Sequence, residues 1–182
     1  MPPVSNLAHG TWEQADALIG TTIARWTGAD AVSEGDIRRK LEVIGFDCPL
    51  HYDADCAREH DYDGVVAPVS MSRVWAMPAY WSPGQPPLGT EPMSTPIPAT
   101  QIPGEGDTLI AAGVRMEYRE PVRPGDRISG NAVLRSVAPK KTRLGPGAFL
   151  VVETTYSNQR AEVVAVETVT LLRFEQQPTE AA

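Results

Sequence analysis

Hydrophobic positions recur along this chain with two different periods. Ile37, Leu41 and Ile44 stand at i, i+4 and i+7, which places them on one face of an α-helix. Arg38, Arg39 and Lys40 fall mostly off that face. Ser33, three residues before Asp36, resembles a capping box, and Gly45 supplies the stop. A short second helix is predicted from the cap-type residue Asp53 through Arg58, and a third after Pro68, from Ser70 to Trp75. Ahead of these, Gly20 to Ala31 reads as a strand with a turn near Gly28-Ala29-Asp30.

Beyond Leu109 the period changes to two. Ile110, Ala112, Val114, Met116 and Tyr118 alternate with Arg115, Glu117 and Arg119, the pattern of a half-buried strand. Arg123-Pro124-Gly125-Asp126 is a turn signal, and Ile128 to Val137 is the next strand. Pro139 to Gly147 reads as a basic, glycine-containing connection. Phe149–Tyr156 and Val163–Phe174 are rich in β-branched and aromatic residues, with a polar turn at Ser157-Asn158-Gln159-Arg160 between them. Long strands joined by short turns predict an antiparallel sheet. Helices gathered ahead of the sheet make the class α+β. One helix along the sheet would bury Ile37, Leu41 and Ile44, and the other sheet face is left for water or a second copy.

Eight prolines lie between Pro78 and Pro103, together with Gly84, Gly89 and Gly104. Proline fixes φ and removes a donor, so the stretch is expected to be a long surface excursion, spanning about 78–107, rather than a central element. It either widens a binding tunnel or is a surface loop. Trp75, Tyr80 and Trp81 at its entrance read as packing residues or substrate contacts.

Composition narrows the classes. The chain has 182 residues, 42% hydrophobic and 21% charged, which fits one globular domain. Its 16 Lys+Arg against 23 Asp+Glu give a net charge of −7, so no nucleic-acid partner is expected. No long apolar run predicts a membrane span, and Met1 to Gly10 lacks the features of a secretory leader, so no membrane partner is expected either. Cys48 and Cys56 have no zinc-type spacing, and a reducing cytoplasm is assumed.

Three histidines are candidates for proton chemistry. His9 is set aside in a mobile N-terminus. His60 lies in the polar run Arg58-Glu59-His60-Asp61 and reads as solvated. His51 follows Gly45-Phe46-Asp47-Cys48-Pro49-Leu50, in a turn between two predicted helices, with Asp47 four residues before it and Asp53 two after. An imidazole and a carboxylate on a loop above a sheet are a reasonable acid–base pair, although Asp53 is also explained as a helix cap. Ser70 and Ser72 have no evident partner.

The run Gly45-Phe46-Asp47-Cys48-Pro49-Leu50-His51-Tyr52-Asp53, then Ala57, then Tyr62-Asp63-Gly64-Val65-Val66-Ala67-Pro68, resembles the MaoC-like hydratases and dehydratases. Tyr118-Arg119-Glu120-Pro121-Val122-Arg123-Pro124-Gly125-Asp126 is similar to a further turn of that family, and Lys140 to Gly147 followed by Thr154 to Gln159 is similar to its acyl-coenzyme A branch. The resemblance covers about residues 17–174 and is nearest the family's N-terminal-type half.

It implies a single hot-dog domain, an antiparallel sheet wrapped around a central helix near Asp53 to Asp61. It also implies interconversion of a trans-2-enoyl-CoA and a (3R)-3-hydroxyacyl-CoA, with Asp47 and His51 catalytic and Val69 at the amide that meets the thioester. No metal and no cofactor are implied. The partners implied are an acyl-CoA thioester and either further copies or a second MaoC-like subunit.

Three positions depart from the catalytic pattern. Phe46 stands where the family's acid does, with Asp47 one residue later. Cys48 replaces an Asn. Ala67-Pro68-Val69 replaces Ala-His-Gly, a form seen in non-catalytic halves. These departures carry the alternative of an accessory, substrate-binding subunit. A hot-dog thioesterase is the third reading.

Overall fold

The alternation in the second half of the chain becomes one antiparallel sheet. The computed structural model describes residues 7–79, 81–84 and 97–175. Within them lie helix α1 (Trp12–Asp16), strand β1 (Thr22–Thr27), and helices α2 (Glu34–Ile44), α3 (Ala54–Glu59) and α4 (Ser72–Trp75). Four long strands follow: β2 (Thr108–Tyr118), β3 (Ser129–Thr142), β4 (Gly145–Ser157) and β5 (Val163–Phe174). The sheet order is β1-β3-β4-β5-β2, and every pairing is antiparallel. The class is α+β, as the pattern predicts.

One face of the sheet carries the core. In β4, Ala148, Leu150, Val152, Thr154 and Tyr156 are buried and the residues between them are half-buried, so alternate side chains point inward. At one end, Ile37 and Leu41 of α2 and Trp75 of α4 pack with Val122, Tyr156 and Val164. At the other, Ala15 of α1 and Ala99 and Ile102 of the returning segment pack with Leu134, Leu150 and Leu171. Gly28 makes the first end possible: a Cβ there would stand 1.9 Å from the carbonyl oxygen of Trp75.

Four expectations are corrected. Ile44 is 51% exposed, because it lines the open groove beside His51 and is not packed in the core. Helix α3 buries only Ala57, so α2 and α4, rather than the segment near Asp53, bring the large apolar side chains to the sheet. Residues 139–147 are no connection. The ladder runs through Pro139, paired with Ala148, to a tight turn between Thr142 and Gly145. Strand β1 pairs with β3 only as far as Val133, so beyond it β3 is an edge, where proline's missing N–H costs no ladder bond. Finally, a bulge between Ala111 and Gly113 shifts the phase of β2, so Ile110 and Val114 point to opposite faces despite their even spacing.

The returning segment is pinned by a buried cation. Arg173 is 0% exposed and donates to the carbonyls of Ala8, Ile102, Gly104 and Gly106. His9, assigned to a mobile terminus, instead bridges Gly104 and stands 3.7 Å from Asp107. Tyr80 and residues 85–96 of the proline-rich stretch lie outside the described residues. Trp75 is buried and Trp81 is exposed.

Candidate functional site

Local signals in the sequence place His51. Helix α2 ends with Gly45 left-handed at φ 59°. The Phe46 amide donates to Leu41 O and the Gly45 amide to Glu42 O, a Schellman closure that fixes the direction in which Phe46 leaves the helix. Pro49 opens a one-turn 3₁₀ helix, Pro49–His51, where its missing N–H is not needed. Asp53 then caps α3 by accepting from the amides of Asp55 and Cys56. Asp53 therefore has a structural occupation, and it is not drawn to His51.

His51 is half-buried, and its Nδ1 lies 2.8 Å from the carbonyl oxygen of Val66. A carbonyl only accepts, so Nδ1 carries the proton and donates it. In the neutral ring the lone pair is then on Nε2. The same clasp is closed by the Val66 amide donating to Leu50 O, and the Ala67 amide donating to Val122 O ties it to the turn beyond β2.

Two clefts meet at His51. One, of about 820 Å³, runs along α2 past Glu34, Arg38, Glu42, Asp47 and Tyr52. The other, of about 490 Å³, is an apolar groove bounded by Leu50, Tyr62, Val66, Pro68, Val69 and Pro121. Phe46 and His51 line both. The two rings stand 5.9 Å apart, tilted by 47°.

Asp47 shares the first cleft with His51, but its carboxylate accepts the hydroxyl of Tyr52 in a very short hydrogen bond. Among the described residues no hydrogen bond or ion pair joins Asp47 to His51. That bond holds the Tyr52 hydroxyl above its usual pKa, with desolvation and the Asp47 charge adding to it. Val69 is 44% exposed and begins the 3₁₀ turn Val69–Met71. Its amide makes no backbone hydrogen bond among the described residues, as expected for the first N–H of a turn.

The structure therefore brings Asp47, His51 and Val69 to one region without joining the carboxylate to the imidazole. His60 is exposed and its Nδ1 donates to Cys56 O, and Ser72 is buried and donates to Val69 O. Spacing did not reveal Tyr52 as the partner of Asp47, or Phe46 as a wall of both clefts. The Gly45 stop was the available signal for Phe46, because it fixes the next residue.

No group of three or more His, Cys, Asp or Glu among the described residues is placed to hold a metal ion. A separate buried pair lies on the inner sheet face. Tyr156 donates to Glu167 at 2.8 Å, and Arg73 approaches the other Glu167 oxygen at 3.3 Å. Burial, the Glu167 charge and the hydrogen bond all raise the Tyr156 pKa.

Comparison with known proteins gives consistent results. A family model described as "FAS1-like, dehydratase domain region" matches residues 17–167. A probable enoyl-CoA hydratase alpha subunit of Thermomonospora curvata is 34% identical over 170 residues, 92% of this chain and 53% of that protein. A 3-oxo-4,17-pregnadiene-20-carboxyl-CoA hydratase alpha subunit of Mycobacterium tuberculosis is 30% identical over 125 residues, 66% of this chain and 38% of that protein. The chain thus spans about half the length of the first relative, and less of the second.

Among solved structures, the ChsH1-ChsH2 complex from Mycobacterium tuberculosis superposes with a TM-score of 0.68 at 24% identity, covering 93% of this chain and 92% of that one. A MaoC-like dehydratase from Rhodospirillum rubrum gives 0.59 at 23% identity, covering 85% and 92%. These likenesses establish the hot-dog fold.

Proposed function

The chain belongs to the family of FAS1-like dehydratase-region domains, and on that premise we propose that it is a MaoC-like component of an acyl-CoA hydratase. The reaction is addition of water to a trans-2-enoyl-CoA to give a (3R)-3-hydroxyacyl-CoA, or its reverse. The working unit is an assembly with a second MaoC-like chain, and residues 17–174 act as one hot-dog unit within it. The names of both relatives, hydratase alpha subunits, support this reading. The compartment proposed with this reading is the cytoplasm.

The observation that carries the reading is His51 at the junction of two clefts, with one ring nitrogen committed. Because Nδ1–H is held by Val66 O, Nε2 is the atom that takes a proton from water as its oxygen bonds to C3 of the enoyl group; the C2=C3 electron pair moves onto the thioester as an enolate, and a proton is returned to C2, so that one water adds across the double bond. Asp47 is the second proton carrier, and to act it leaves Tyr52. The unpaired Val69 amide faces the developing negative charge on the thioester oxygen, where a fixed donor lowers the barrier.

A second reading has its own support. Asp47 is held by Tyr52, and the Phe46 ring stands beside His51. Both fit a substrate-binding subunit whose partner does the proton work.

Hydration of an enoyl-CoA by the assembly separates the two. In the first reading His51→Ala and Asp47→Asn each lower turnover about 10² to 10⁴-fold with folding intact. In the second, both stay within a few-fold of wild type, and the loss follows mutation of the partner's acid and histidine. Release of free thiol in place of hydration would make the protein a thioesterase.

A further inference from the structure

Phe46 is the one apolar side chain that faces His51 and lines both clefts. It is 49% exposed, so packing does not require it there. Its backbone, however, is fixed by the closure at Gly45. The clefts it separates differ in chemistry. The α2 cleft carries the carboxylates of Glu34, Glu42 and Asp47 against one guanidinium, Arg38, which is paired with Glu42 at 2.6 Å. The groove beyond Phe46 is walled chiefly by Ile44, Leu50, Tyr62, Val66, Pro68 and Pro121, with Arg119 and Glu120 the charged residues along it. An acyl chain placed in the α2 cleft would strip water from charges, whereas in the groove it meets apolar walls.

Resting on the acyl-CoA reading, we propose that Phe46 is a specificity-determining residue. It closes the passage over His51 and confines the acyl group to the apolar groove, so that acyl length is limited where the groove ends at the ring. The floor on the far side of the ring includes Leu41, Val65 and Ala54. Removing the ring opens that apolar floor to the end of a long chain while leaving a short chain untouched. Phe46 does this by shape alone and takes no part in proton transfer.

The test is calorimetric binding of two unreactive saturated thioesters, butanoyl-CoA and dodecanoyl-CoA, to the full chain and to Phe46→Ala and Phe46→Trp. Each variant is checked for unchanged thermal unfolding. In Phe46→Ala the affinity for dodecanoyl-CoA rises about tenfold, the scale of one to a few methylenes gained in a pocket, while that for butanoyl-CoA stays within about twofold. Phe46→Trp leaves the long thioester no tighter than wild type. Equal changes for both thioesters, or none, would overturn the role of Phe46 while leaving the acyl-CoA reading in place. Failure of wild type and both variants to bind either thioester would remove the acyl-CoA reading itself.

Discussion

At the scale of single residues, partners decide what a group can do. His51 is poised because one neighbour is a carbonyl, and Asp47 is held because one neighbour is a phenol. Sequence spacing brought Asp47 and His51 into view and the family resemblance added Val69; the structure gathers all three at adjoining clefts. It could not reveal Tyr52, since any of several acceptors lies within reach of a tyrosine in that turn. Nor could it reveal Arg173, whose four carbonyl partners come from segments about 65 to 165 residues away in sequence. Replacing Arg173 with Met removes four donated hydrogen bonds and leaves the buried Ile102 carbonyl without its guanidinium partner, so urea unfolding should show a loss of about 3 kcal/mol. Tyr156 gives a pH signature. Its folded pKa lies above the ordinary 10.0, so its contribution is complete below about pH 10 and is lost as the pH rises beyond that value. The urea midpoint of wild type should therefore fall above pH 10, and Tyr156→Phe should make that fall shallower.

At the scale of elements, the caps and stops were legible and the contacts were not. The Ser33 cap forms as expected, with the Asp36 amide donating to Ser33 Oγ, and Gly45 ends α2. Helix α1 escaped notice although Thr11 and Gln14 form a reciprocal capping box, because its five residues are too few to show a period. Three apolar residues on one face of α2 looked equivalent, yet only Ile37 and Leu41 reach the core, while Ile44 borders the groove beside His51. Ile37→Ala should cost about 3 kcal/mol and Ile44→Ala less than about 0.5 kcal/mol by the same unfolding assay. The bulge in β2 was equally hidden: inserting one residue leaves the alternation in the sequence intact while turning Ile110 outward.

At the scale of the whole molecule, the sheet has an uncovered side. Strand β2 is an edge of 11 residues without a buried position, and Val114 and Tyr118 are exposed along it. A long edge of this kind invites pairing with another chain, and a stable interface of about 1,600 Å² in total would cover it. Light scattering of the chain with the proposed second MaoC-like chain should give a mass above that of either chain alone. A monomer at micromolar concentration, with and without the partner, would contradict the assembly. The most direct measurement for the function itself is loss of the conjugated thioester absorbance of a trans-2-enoyl-CoA on incubation with that assembly. Disappearance of the enoyl signal with formation of the (3R)-3-hydroxyacyl-CoA, and no free thiol, is the expected result. An unchanged enoyl signal in the presence of the intact assembly, across short and long acyl groups, would contradict the hydratase assignment.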